Sequence, residues 1–156
     1  MRREVVAIVT GGAFESGRAV ARGLAGWDWA VVVVYLEHQR TVEATVTEIL
    51  AADGRIVAVR ADLADDLDVE RLYAESIAAF GGVDVVAHTT TGGAALLYEH
   101  AARNLRPSGA IVSLSAGEPM APAVAQRLRE RGITVGQAPP EGVLSFLDGW
   151  RRQTLG

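Results

Sequence analysis

The chain has 156 residues, 19 acidic against 15 basic side chains, and no cysteine. That length predicts one domain over residues 1–156, the net charge of −4 leaves no footprint for nucleic acid or an anionic membrane surface, and the missing thiols exclude disulfides, thiolate nucleophiles and Cys-ligated metal. The longest apolar run, Trp29 to Leu36, is too short to span a bilayer, and Val5 to Val9 is too short for a signal-peptide core, so a soluble cytoplasmic protein is expected.

Short Val/Ile-rich runs alternate with segments of helical period. Strands are predicted at Val5 to Val9, Ala30 to Tyr35, Ile56 to Arg60, Val83 to His88, Ala110 to Leu114 and Ile133 to Val135. Their continuous apolar character fits strands buried on both faces, hence a parallel sheet covered by helices. Between them, Val20 and Leu24, then Val42, Val46 and Ile49, then Val69, Leu72 and Phe80, then Leu97, Ala101 and Leu105, recur at helical spacing. Val124 with Leu128, and Val143, Phe146, Leu147 and Trp150, continue the pattern. Gly54, Gly81-Gly82, Gly109 and Gly132 fall between helix and strand, where a left-handed cap suits glycine. Right-handed crossovers then give an α/β, Rossmann-like, doubly wound sheet of about six strands in order 3-2-1-4-5-6, with its ligand cleft above strands one and four.

Thr10-Gly11-Gly12-Ala13-Phe14-Glu15-Ser16-Gly17, directly after the first strand, resembles the cofactor loop of the short-chain dehydrogenase/reductase family. Ala61-Asp62-Leu63 is similar to that family's motif after strand three, and Phe80-Gly81-Gly82-Val83-Asp84 to its approach to strand four. Gly109-Ala110-Ile111-Val112-Ser113-Leu114-Ser115 and Arg131-Gly132-Ile133-Thr134-Val135 resemble its strands five and six. The resemblance implies NAD or NADP as cofactor, held by Gly11, Gly12, Gly17 and Asp62.

The sequence departs from the family at its signature positions. Glu15 replaces the loop's middle glycine, and a carboxylate against a pyrophosphate costs about 1 to 4 kcal/mol at an intermediate dielectric. Phe14 stands where NADP-preferring relatives are often basic. The family's catalytic Tyr and the Lys four residues later have no counterpart: there is no lysine, and none of Tyr35, Tyr73 and Tyr98 precedes a basic residue at that spacing. His88-Thr89-Thr90-Thr91 replaces Asn-Asn-Ala-Gly, and Ala116 occupies the place of the catalytic serine. The segments carrying the relay Asn and the Tyr/Lys helix are read as deleted, between Thr91 and Gly92 and between Glu118 and Pro119.

Glu15, His88 to Thr91, Ser113 and Ser115 are expected to converge at the cleft, and an acid/base set of Glu15, His88 and Ser115 would suit proton transfer without a cofactor. Each also has a plain structural role. Glu15 is favoured by the helix dipole by about 0.5 kcal/mol, His88 can end a strand bonded to backbone, and Ser115 with Glu118 has capping-box spacing. Glu37 and His38 read as a solvated loop after strand two, and no metal site is expected. Three functions are weighed. A cofactor-independent isomerase, lyase or cyclase of biosynthesis, acting on a small organic substrate, is the expectation. A non-catalytic interaction module, in a homo-oligomer or with a protein partner, and a residual NAD(P)-dependent oxidoreductase are the alternatives.

Overall fold

The computed structural model describes residues 4–114 and 119–156. Strands β1 (Val6–Val9), β2 (Ala30–Tyr35), β3 (Arg55–Arg60), β4 (Val83–His88), β5 (Leu105–Leu114) and β6 (Thr134–Ala138) form one parallel sheet in the order β3-β2-β1-β4-β5-β6. Helices α1 (Glu15–Gly26), α2 (Gln39–Ala51), α3 (Asp66–Phe80), α4 (Ala95–Asn104), α5 (Pro122–Glu130) and α6 (Val143–Thr154) connect and flank it, with a 3-10 turn at Pro140–Gly142 before α6. This is the Rossmann-like order that the alternation of elements predicts.

Successive strand residues feed two apolar layers. Ile8, Val32, Val86 and Ile111 pack with Leu72, Leu97 and Leu128 of α3, α4 and α5. Val9, Val31, Val85 and Val112 pack with Leu24, Val42 and Leu147 of α1, α2 and α6. Each fully buried Leu or Ile contributes about 2 kcal/mol. Among the described residues no helix is long and apolar enough to cross a membrane.

Three local expectations shift. Leu105 belongs to β5 rather than to the fourth helix: α4 stops at Asn104, and Leu105 pairs with Val83 across a register irregularity before Ala110 pairs with Val85. Strand β6 begins at Thr134 and extends to Ala138, past the predicted end. At two of the glycines expected between helix and strand the left-handed residue is the neighbour instead: Asp53 at φ 65° in the turn before β3, and Ser108 at φ 65°, which with Gly109 lies inside β5 rather than ahead of it. Gly109 is there for space: a Cβ would lie 2.2 Å from the Asp84 carbonyl oxygen. Gly81, at φ 89°, is a true left-handed cap of α3.

Two side-chain assemblies tie the sheet together. Asp84, 4% exposed in β4, accepts the Val6 backbone N–H at 2.9 Å and the Arg106 guanidinium at 3.0 Å. On the α1/α6 side, Trp29 meets Trp27 edge-on at 5.2 Å between ring centroids and Trp150 at 5.8 Å, with the Arg151 guanidinium 3.9 Å over Trp27.

Candidate functional site

The glycine loop turns sharply because its residues have no room for side chains. Gly11 adopts φ 67° and Gly12 donates its N–H to Val34 O at 2.9 Å. A Cβ on Gly12 would lie 2.4 Å from Val33 Cγ2, and one on Gly17 only 2.2 Å from Gly11 O. Helix α1 therefore starts hard against β1, with Phe14 as an extended N-cap whose side chain makes no capping bond and Glu15 as the first helical residue. Its opening amides are left to water or to an anion.

A cleft of about 350 Å³ opens beside this loop, of a size for a small-molecule site. Its walls are Gly11 to Phe14, the segment from Val34 to His38 that ends β2, the segment from Ala61 to Ala64 that follows β3, and Thr90, Gly92 and Gly93 beyond β4. No lysine or arginine is among these wall residues, whereas Glu37 and Asp62 are. The mouth is apolar, with Phe14 58% exposed and Leu36 41% exposed.

Asp62 is fixed by a hydrogen-bonded hook. Its N–H donates to Asp68 Oδ2 at 2.8 Å, and its Oδ1 accepts the Ala64 N–H at 2.9 Å. Asp65 caps α3 by accepting the N–H groups of Leu67 and Asp68. The Asp62 N–H, with the neighbouring Arg71 charge assisting, holds the Asp68 carboxyl below the usual carboxylate range.

The predicted site residues differ in where they sit. Gly11, Gly12 and Asp62 line the cleft, and Gly17 supports it from beneath. Glu15 is exposed on the first turn of α1. His88 is 2% exposed, with Nδ1 2.8 Å from Thr10 Oγ1 and Nε2 2.8 Å from Gly92 O. The carboxylate is thus exposed, whereas the imidazole is buried with both nitrogens engaged in the fold. Ser115 lies outside the described residues, as does its capping box to Glu118. Ser113 does not line the cleft but a second hollow of about 350 Å³, with Tyr98, Met120, Val135, Gly136 and Gln137.

Glu37 and His38, read from sequence as a solvated loop, are cleft walls, and His38 takes a left-handed φ of 61° at the start of α2. Thr90, expected at the cleft, does line it, while Gly92 and Gly93 beside it were missed as wall; the glycine pair four residues after the end of β4 was the signal available. Tyr73 is 1% exposed and donates its hydroxyl to Leu97 O at 2.8 Å, and burial pushes its phenol far above the ordinary range. It is out of reach of a ligand.

Comparison with known proteins agrees with this architecture. Residues 5–105 match the family model described as short chain dehydrogenase. A 3-oxoacyl-[acyl-carrier-protein] reductase of Synechocystis is 36% identical over 81 residues, which are 52% of this chain and 33% of that one. A hydroxynaphthalene reductase-like protein of Metarhizium robertsii is 36% identical over 81 residues, or 52% of this chain and 30% of that one. The match thus spans about a third of these curated relatives. Among solved structures, a dehydrogenase of Burkholderia cenocepacia with bound NADP superposes with a TM-score of 0.76 at 23% identity, covering 88% of this chain and 69% of that one. These findings overturn the expectation of a cofactor-independent isomerase, lyase or cyclase: the named relatives are reductases, and they favour the oxidoreductase alternative instead.

Proposed function

The chain belongs to the short chain dehydrogenase family, and on that premise we propose that its cleft binds NAD(H) and that the protein takes part in an NAD(H)-dependent oxidoreduction. The cleft itself carries this reading. It lies beside the loop that joins β1 to α1, at the C-terminal ends of strands adjoining the topological switch, where doubly wound sheets hold nucleotides.

The residues present suit the adenosine half. The backbone of Ala61 to Ala64, fixed by the Asp62–Asp68 hook, would border the adenine, and Glu37 would accept from the ribose hydroxyls. Gly11 to Phe14 and the amides at the start of α1 would hold the pyrophosphate. When bound, the nicotinamide supplies a hydride or takes one up. The second hollow, with the neutral hydrogen-bonding groups of Tyr98, Ser113 and Gln137, is assigned to the other substrate.

The same walls favour NAD(H) over NADP(H). A 2′-phosphate would meet the carboxylates of Glu37 and Asp62 with no lysine or arginine among the lining residues. Calorimetric titration of the purified protein at low salt is expected to show NAD+ bound about tenfold more tightly than NADP+. Equal or reversed affinities would overturn the selectivity. Failure of NAD+, NADP+ and ADP-ribose alike to bind would overturn the dinucleotide reading itself.

A further inference from the structure

Across the C-terminal edge of the sheet runs a polar row. His88 on β4 is in register with Ser113 on β5, which is in register with Gln137 on β6, and Thr10 reaches His88 from the end of β1. We propose that His88 is the positioning residue of the nucleotide cleft: an imidazole that donates from Nε2 to Gly92 O and so ties residues 89–93 to the glycine loop. The inference rests on the dinucleotide reading above.

The tautomer follows from the partners. A carbonyl oxygen only accepts, so the 2.8 Å contact with Gly92 O makes Nε2 the donor. In the neutral ring Nδ1 then accepts the hydroxyl proton of Thr10 at 2.8 Å. Thr10 Oγ1 in turn accepts the Thr89 N–H at 3.0 Å, and the Thr89 hydroxyl donates to Thr10 O at 2.8 Å. Each of these donors meets an acceptor, and one ring fastens two stretches of chain.

Those two stretches are cleft wall. Thr90, Gly92 and Gly93 line it together with Gly11 and Gly12. They also touch: a Cβ on Gly11 would lie 2.6 Å from Thr89 Oγ1 and 3.0 Å from Thr90 Cγ2. At 2% exposure His88 acts on a ligand through this wall. Loss of the Nε2–H bond would release the Gly92 carbonyl and let the wall move while the sheet beneath stays paired.

Two variants of the full chain divide the ring's roles. Gln places an amide donor near the Nε2 position, so His88→Gln keeps the bond to Gly92. Asn reaches only the Nδ1 position, so His88→Asn keeps the bond to Thr10 and loses the other. Three measurements are made where both variants are folded: nitrogen-15 NMR of the wild-type imidazole, hydrogen exchange of the amides at 90–93 without ligand, and calorimetric affinity for NAD+ and AMP. The expected results are an Nε2–H tautomer, exchange about tenfold faster and NAD+ affinity about tenfold weaker in His88→Asn, and values within about twofold of wild type in His88→Gln. An Nδ1–H tautomer, or wild-type exchange and affinity in His88→Asn, would overturn the proposal, as would equal losses in both variants. If His88→Asn fails to fold, the tautomer and the His88→Gln values still decide. If the wild type binds neither NAD+ nor AMP, the dinucleotide reading fails and the nucleotide role of His88 with it, while tautomer and exchange separately decide the tie to Gly92.

Discussion

The two halves of the sheet present different things to a ligand. The β1–β3 half offers the glycine turn from Gly11 to Phe14 and the segment from Ala61 to Ala64, positioned by the backbone, beside the side chains of Leu36, Glu37 and His38. The β4–β6 half offers side chains: Tyr98, Ser113 and Gln137 around the second hollow. A site made of backbone is set by where glycine is required and where strands end, so it persists through wide change in sequence. A site made of side chains has to be read one residue at a time, and in this chain the family's Tyr/Lys pair cannot be placed, because the sequence holds no lysine.

The sharpest break comes at the foot of the glycine loop. Gly17→Ala puts a methyl group 2.2 Å from Gly11 O and 2.8 Å from Thr10 O, backbone atoms that cannot rotate away. Denaturant titration should show a loss of about 4 kcal/mol or more, with nucleotide binding lost too. In the other half the corresponding weakness is a single carboxylate. Asp84→Ala strands the Arg106 guanidinium and the Val6 N–H, and should cost about 3 kcal/mol by the same titration. Wild-type stability in that variant would mean that the second half does not lean on individual side chains.

Smaller effects refine the first half. Glu15→Gly removes a carboxylate from the first turn of α1 and should raise NAD+ affinity about fivefold at low salt, with the gain shrinking as salt is added. An unchanged affinity would show that the exposed side chain swings clear of the pyrophosphate. The hook at Asp62 gives the smallest effect and a signed one. Asp68 is held below its ordinary value of 3.8, so near that pH the unfolded chain binds more protons than the folded one and stability rises with pH. Its contribution is complete above the ordinary value and is lost as pH falls through the folded one. The stability gap between wild type and Asp68→Asn should therefore close on acidification, and a gap independent of pH would detach the hook from the charge of Asp68.

The fold was legible because periodicity is redundant: an apolar face repeated along each strand and helix survives any one ambiguous residue. Boundaries were less so. Leu105 fits the spacing of a helix after Leu97 and Ala101, and its pairing with Val83 depends on a partner far away in sequence. Gly54 was recognisable as a turn residue, whereas Gly109 lies within β5, and the left-handed conformation falls on Asp53 and Ser108, since close packing had already claimed the glycines. At the site, Gly11, Gly12 and Asp62 were readable from a local motif. For His88 a bond to backbone was readable, and Gly92 O supplies it; its bond to Thr10 was not, because that threonine follows a different strand, 78 residues earlier. Glu37 and His38 looked like solvated loop for a related reason: they are exposed and wall the cleft at once.

The edge-to-face stack of Trp27, Trp29 and Trp150 gathers all three tryptophans of the chain into one assembly between α1 and α6. Tryptophan emission from this protein consequently originates in a single place, among rings at close to right angles whose transitions couple. Near-ultraviolet circular dichroism should be strong for so few chromophores, and its decay would report the undocking of the last helix rather than any event in the cleft. Ligand titrations followed by tryptophan fluorescence would be nearly silent unless the dinucleotide itself accepts the excitation energy.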